Sequence, residues 1–184
     1  MKKILFAAVA ATSLMSAPAF AAPIDLKAFI IGASVAPECS LEAPSNVDFG
    51  QLGIETDPGA GALRITNNES DTQRVWASCN YPVKVRLRST LGGLRTAQLN
   101  DGQDSADFTN VIFYRLSLEA SDGLAFQPVE LLTTGTPLEE ETVNQADAFH
   151  DRARLRVRVL RADNPLRPLA GAYGDIAIVT LGAI

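Results

Sequence analysis

Histidine and cysteine are scarce in this chain: its 184 residues hold one of the first and two of the second. A lone imidazole and two thiols do not complete the ligand set of a zinc site, so no metal is expected. No Gly-x-Ser-x-Gly elbow surrounds any serine, and Gly59-Ala60-Gly61 has no Lys-Ser/Thr behind it. A hydrolase nucleophile and a phosphate-binding loop are therefore both missing, and no cofactor is expected. His150 beside Asp151 reads as a solvated loop residue rather than part of a Ser–His–Asp relay. Glu139, Glu140 and Glu141 read as an acidic loop, because consecutive carboxylates do not converge on one bond. The chain is not expected to be an enzyme. Basic charge is short as well: 16 Lys and Arg, two of them in the first three residues, stand against 21 Asp and Glu. Phosphate backbones are bound through basic charge, so no nucleic-acid partner is expected. Beyond the N-terminus no stretch approaches the roughly 20 apolar residues of a transmembrane helix, and no membrane span is expected in the mature chain.

What the sequence does contain begins with an address. Lys2 and Lys3 precede an apolar run from Ile4 to Met15, and Ala19-Phe20-Ala21 puts small residues at −3 and −1 of a cleavage site. Residues 1–21 are therefore expected to be a signal peptide and the mature chain to be exported. About 160 residues suffice for one domain with a core and are too few for two. In an oxidising compartment the even cysteine count makes a Cys39–Cys79 disulfide the default reading, with two free thiols as its competitor.

Period-two alternation dominates the body. Val83, Val85 and Leu87 alternate with Lys84, Arg86 and Arg88, and Arg152, Arg154, Arg156 and Arg158 alternate with Ala153, Leu155, Val157 and Val159. Side chains on a strand point to opposite faces in turn, so each segment has one dry and one charged face. The arginine stripe reads as an outward strand face, with a polyanion or carboxylated glycan as the alternative occupant. Further strands are expected at 62–66, 74–80, 111–118 and 176–181 from their β-branched, aromatic and aliphatic content. Turn sequences such as Asp57-Pro58-Gly59, Asn100-Asp101-Gly102 and Ser121-Asp122-Gly123 separate them. The one helix-like passage is Pro137 to Phe149, expected to hold one or two helical turns. Several short strands with such turns argue for an antiparallel β-sandwich.

The segment between the leader and Cys39 is apolar, with Phe29, Ile31, Ala33 and Val35 in one phase and Ile24, Leu26, Ala28 and Ile30 in the other. An N-terminal tail of this kind must be buried somewhere. It is either the first strand of the sandwich itself or a strand that fills a gap in another molecule.

The order of motifs then points to a family. An apolar alternating N-terminus is followed by Pro37-Glu38-Cys39-Ser40, Val47-Asp48-Phe49-Gly50, a second cysteine at a strand end, and the run Val83–Leu87. Gly93-Leu94-Arg95, Val111–Leu118 with Tyr114-Arg115, and Gly171-Ala172-Tyr173-Gly174-Asp175 before a last strand complete the series. Across the expected mature chain this resembles the spore coat protein U domain, whose members include pilins of archaic chaperone–usher pili. The resemblance implies an immunoglobulin-like sandwich over 37–184 lacking its last strand, and a donor-strand extension over 22–36. In that scheme the donor anchors, which enter the groove of a neighbouring subunit, are Phe29, Ile31, Ala33 and Val35, and Ala177, Val179 and Leu181 face this chain's own acceptor groove. The implied partners are identical or related pilin subunits, a periplasmic chaperone and an outer-membrane usher, and the implied destination is a pilus on the cell surface. Four buried donor side chains are worth roughly 6–12 kcal/mol before backbone pairing. A self-contained secreted sandwich that binds a carbohydrate or protein is the competing expectation.

Overall fold

A computed structural model describes residues 27–123 and 125–183. The expected leader, its cleavage site, and Ile24 and Leu26 lie outside the described residues. The chain divides into two units, Met1–Val35 and Ala36–Ile184. Within the first, 27–35 has no helix or strand.

The second unit is all-β. Its larger sheet has the order β1-β2-β10-β7-β8, formed by β1 (Cys39–Leu41), β2 (Glu69–Cys79), β10 (Phe149–Val159), β7 (Arg115–Glu119) and β8 (Val129–Leu132). The smaller sheet has the order β12-β3-β9, formed by β12 (Ala177–Gly182), β3 (Val83–Ser89) and β9 (Glu140–Gln145). Every pairing in these two sheets is antiparallel. Two small ladders complete the set: β4 (Leu94–Arg95) with β6 (Val111–Ile112), and β5 (Phe108–Thr109) with β11 (Arg167–Pro168). Among the described residues the only helical element is a 3₁₀ turn, Arg161–Asp163.

The alternation explains the core. On β3, Val83, Val85 and Leu87 are fully buried, while the basic residues between them are half-exposed. From the larger sheet, Ala77, Leu116, Leu118, Leu131 and Leu155 join the same apolar cluster, and Phe126 and Phe149 meet within it at 5.1 Å between ring centroids. Two antiparallel sheets sharing one core are consistent with a β-sandwich. A disulfide joins Cys39 on β1 to Cys79 on β2, which are direct cross-strand partners.

Four expectations are corrected. Pro137 to Phe149 has no helical turn among its residues and instead contains β9, because the acidic run has a basic partner. Glu140 lies opposite Arg88 and pairs with Arg86 at 3.7 Å, while Val143 packs on the core. His150 is on β10, not in a loop. Residues 62–66 form no strand: the amides of Ala62, Leu63 and Arg64 are taken by turn bonds to Gly59, Glu55 and Gly61, leaving only an Ile54–Ile65 bridge. Residues 111–118 break into two strands, because Phe113 N–H donates to Asn164 Oδ1 (2.7 Å) and Tyr114 N–H to Thr133 Oγ1 (2.8 Å). Side chains replace the ladder there.

Arg115 ties β7 to the 3₁₀ turn through two bonds to Asp163, at 2.7 and 2.9 Å. That contact holds the Asp163 carboxyl below its ordinary value. A depressed carboxyl stabilises the fold above its unfolded pKa of about 3.9, and the contribution is lost as pH falls through the lower folded value. Asp163→Asn is therefore expected to cost about 1–2 kcal/mol at pH 7, with part of the Arg115 side chain in solvent. Urea unfolding at pH 7 and at successively lower pH checks this: the two proteins should differ at pH 7 and the difference should shrink as pH falls through the lowered folded value. The disulfide closes a loop with a sequence separation of 40. Paired Cys39→Ser and Cys79→Ser changes should remove about 4 kcal/mol on loop-closure entropy. A loss under about 1 kcal/mol would show that the bond only decorates an already fixed strand pair.

Candidate functional site: an apolar groove beside β12

β12 hydrogen-bonds to β3 on one side and, among the described residues, to no strand on the other. Beside it lies a groove of about 1150 Å³. Residues from many parts of the chain line it. The segment 44–54 contributes Val47, Phe49, Leu52 and Ile54; β7 and β10 contribute Leu116, Leu155 and Val157; and Leu169, Tyr173, Ile176, Ala177 and Val179 come from the approach to β12 and from the strand itself. Val157 is inward in phase, yet it is only half-buried, unlike Leu155 and Val159 before and after it. Val179 and Leu181 are likewise half-buried while packing on the core. Core-facing positions are left partly uncovered where the groove runs.

A polar node fixes where β12 begins. Asp175 Oδ2 accepts hydrogen bonds from the Ser89 hydroxyl and from Tyr114 OH (2.8 Å), and Oδ1 accepts from the amides of Leu91 (2.8 Å) and Ile176 (2.7 Å). Burial pushes the Tyr114 phenol well above its ordinary value, so it remains a donor to the carboxyl across the physiological range. Ser89 is the cross-strand partner of Ala177, and this bond therefore sets the register of β12 on β3. One step earlier, Arg95 and Gly174 exchange backbone bonds of 2.9 and 3.0 Å, and Arg95 Nε donates to Leu91 O at 2.7 Å. Gly171 must lack a side chain: its φ is +156°, and a Cβ there would run into Thr96. The Tyr173 hydroxyl donates to Leu169 O at 2.8 Å, and burial raises its pKa too.

The motifs Gly93-Leu94-Arg95, Tyr114-Arg115 and Gly171–Asp175, far apart in sequence, thus meet at one end of the groove. Of the residues expected to face an acceptor groove, Ala177 and Val179 line it, whereas Leu181 does not and packs instead on the core. Phe29, Ile31 and Val35 are 81%, 82% and 85% exposed, and Ala33 is exposed with them. Sequence reasoning missed Leu52, Ile54 and Leu169, which have no periodicity to mark them. Among the described residues no group of His, Cys, Asp or Glu could hold a metal ion, and no helix is long and apolar enough to cross a membrane. No protein-family model matches the chain, and no curated protein matches it significantly.

Replacing Asp175 by Asn keeps the shape but loses one oxygen acceptor among four donors. The expected cost is about 1–3 kcal/mol of stability. Faster amide exchange should be confined to β12 and the 89–92 turn, as read by hydrogen–deuterium exchange. Uniformly unchanged exchange would show that the node does not hold the strand.

Proposed function

We propose that the chain is a structural subunit of a chaperone–usher surface fibre, polymerised by donating its N-terminal strand to the groove of the next subunit. The observation that carries the reading is the groove beside β12, whose outer edge pairs with no strand among the described residues. Strand order supports it. In a seven-stranded immunoglobulin-like sandwich the sheets read A-B-E-D and C-F-G. Here β1-β2-β10-β7 follows the first order, and β3-β12 follows the C-F pair with β9 on the far side of β3. On that correspondence the position of G, beside F, would fall beside β12.

The apolar tail suits that vacancy. An extended peptide added to a sheet edge gains affinity from main-chain bonds and register from alternate side chains entering pockets. Burying Phe29, Ile31 and Val35 would each be worth about 1.5–3 kcal/mol, with Ala33 adding little. Their exposure in a single chain is a contiguous apolar liability, and so is the groove. A free subunit of this kind needs a chaperone to cover the groove until a donor replaces it. The resemblance to the spore coat protein U domain points the same way, and with it export through the periplasm to the cell surface.

Ile31→Asp, or deletion of 22–34, is expected to abolish heat-stable ladders on gels and to leave subunit bound to chaperone. A shift of the donor to the other phase would make Ile30→Asp the damaging change instead. Polymers at the wild-type level in the deletion would end the proposal in favour of a self-contained secreted sandwich.

A further inference from the structure

We propose that the outward face of the larger sheet binds a carboxylated polysaccharide, with Trp76 as the stacking ring and Arg74, Arg152 and Arg156 as carboxylate contacts. The inference rests on a different face from the groove and does not depend on the fibre reading.

The register builds the patch. On β10 the outward residues are His150, Arg152, Arg154, Arg156 and Arg158, with roughly 6.5–7 Å between neighbours along the strand. On β2, Trp76 stands opposite Arg152, Arg74 opposite Arg154, and Thr72 opposite Arg156. Charge across this face is uneven. Toward β7 and β8 the arginines are matched: Arg154 with Glu119 at 3.7 Å, Arg158 with Glu130 at 2.6 Å, and Arg115 with Asp163 and Glu130. Toward β2 they are not, for Arg74, Arg152 and Arg156 make no ion pair among the described residues. The Glu42 carboxyl, across from Trp76, accepts the Trp76 main-chain N–H through Oε2 at 2.9 Å and forms no ion pair with these arginines among the described residues. Like charges directly opposite each other destabilise a sheet, and Arg74 faces Arg154 across the strand pair. In a chain whose net charge is −5, this is a local positive excess that an anion would relieve.

The aromatic residue narrows the anion. Trp76 is 47% exposed within a β-strand, stacked on His150 at 4.9 Å and 12° between ring planes. The Ser78 hydroxyl and His150 Nδ1 lie 2.6 Å apart, which holds the imidazole against the indole. A large ring kept in one orientation on a wet, cationic sheet face offers a flat apolar surface at little entropic cost. Inorganic polyphosphate would need the arginines and no ring, and a neutral glycan would need the ring and no arginines. The guanidinium fork matches a carboxylate in two parallel bonds. A chain of uronate-type sugars uses both features.

Trp76 is the only tryptophan, so intrinsic fluorescence reports this site alone. Titrating the full chain with polygalacturonate at physiological salt should change that emission, whereas dextran should leave it unaltered. Arg74→Gln with Arg152→Gln should weaken binding about tenfold or more, as should Trp76→Ala in calorimetry. Trp76→Phe, which keeps a ring, should retain most of the affinity and guards against a folding artefact. The arginine changes should leave the unfolding midpoint unchanged or raise it, since they remove repulsion. Absence of polygalacturonate binding overturns the proposal. So does binding that polyphosphate equals and that Trp76→Ala leaves intact, because charge alone would then account for it.

Discussion

The smaller sheet exists because β3 is held on the core. Its inward residues, Val83, Val85, Leu87 and Ser89, are fully buried, and both β12 and β9 take their hydrogen bonds from it. Neither outer strand has another partner among the described residues. β9 carries a single half-buried apolar residue, Val143, and β12 has only Val179 and Leu181 turned toward the core. Such strands do not stand by themselves, since isolated two-stranded ribbons are marginal in water. Their order is borrowed from β3, and the Asp175 node then determines where along β3 the edge of the groove starts.

The outer edge of β12, unpaired among the described residues, and the half-covered core positions beside it are costs to the fold. Burial of apolar surface is worth about 25 cal/mol per Å², and positions such as Val157 and Val179 forgo part of that gain. The expense is local. Away from the groove, Val85, Leu87, Leu118 and Ala153 are entirely inaccessible, so packing defects are not general. Polar groups at the groove's end are satisfied rather than abandoned, Asp175 alone collecting four donors. Among the described residues the fold is closely packed away from the groove and less covered along it, the feature on which the proposed acceptance of an extended apolar peptide rests.

Legibility in the sequence followed the strength of the environment on each face. β3 and β10 were readable because each alternates strictly between a dry and a wet side. β9 was not, since Glu140 to Gln145 shows no alternation of apolar residues and takes its extended form from the basic face of β3. β8 hid behind its length of four residues, although Val129 and Leu131 follow the expected phase. The segment 62–66 has strand-like composition, yet Leu63 adopts a φ of +67° and turn bonds consume its neighbours' amides. The groove was not legible from periodicity. Two of its sources, 44–54 and the approach to β12, are irregular segments whose apolar residues carry no period, and long-range closure alone brings them together.

Period two also separates the two proposed binding surfaces. On β10, Leu155 and Val157 turn to the groove, while Arg154 and Arg156 turn the opposite way. A peptide filling the groove would touch the first set and leave the second in solvent, because successive side chains cannot share a face. One strand can therefore support polymerisation on its inner side and ligand capture on its outer side without competition between them. Repetition would add a further effect. Subunits joined through their grooves would display the Trp76–arginine patch at regular intervals, and a long polyanion could engage several at once. Each further contact would then be intramolecular, so avidity would exceed what one shallow patch provides. A weak site on a repeating subunit is sufficient where a strong site on a monomer would otherwise be required.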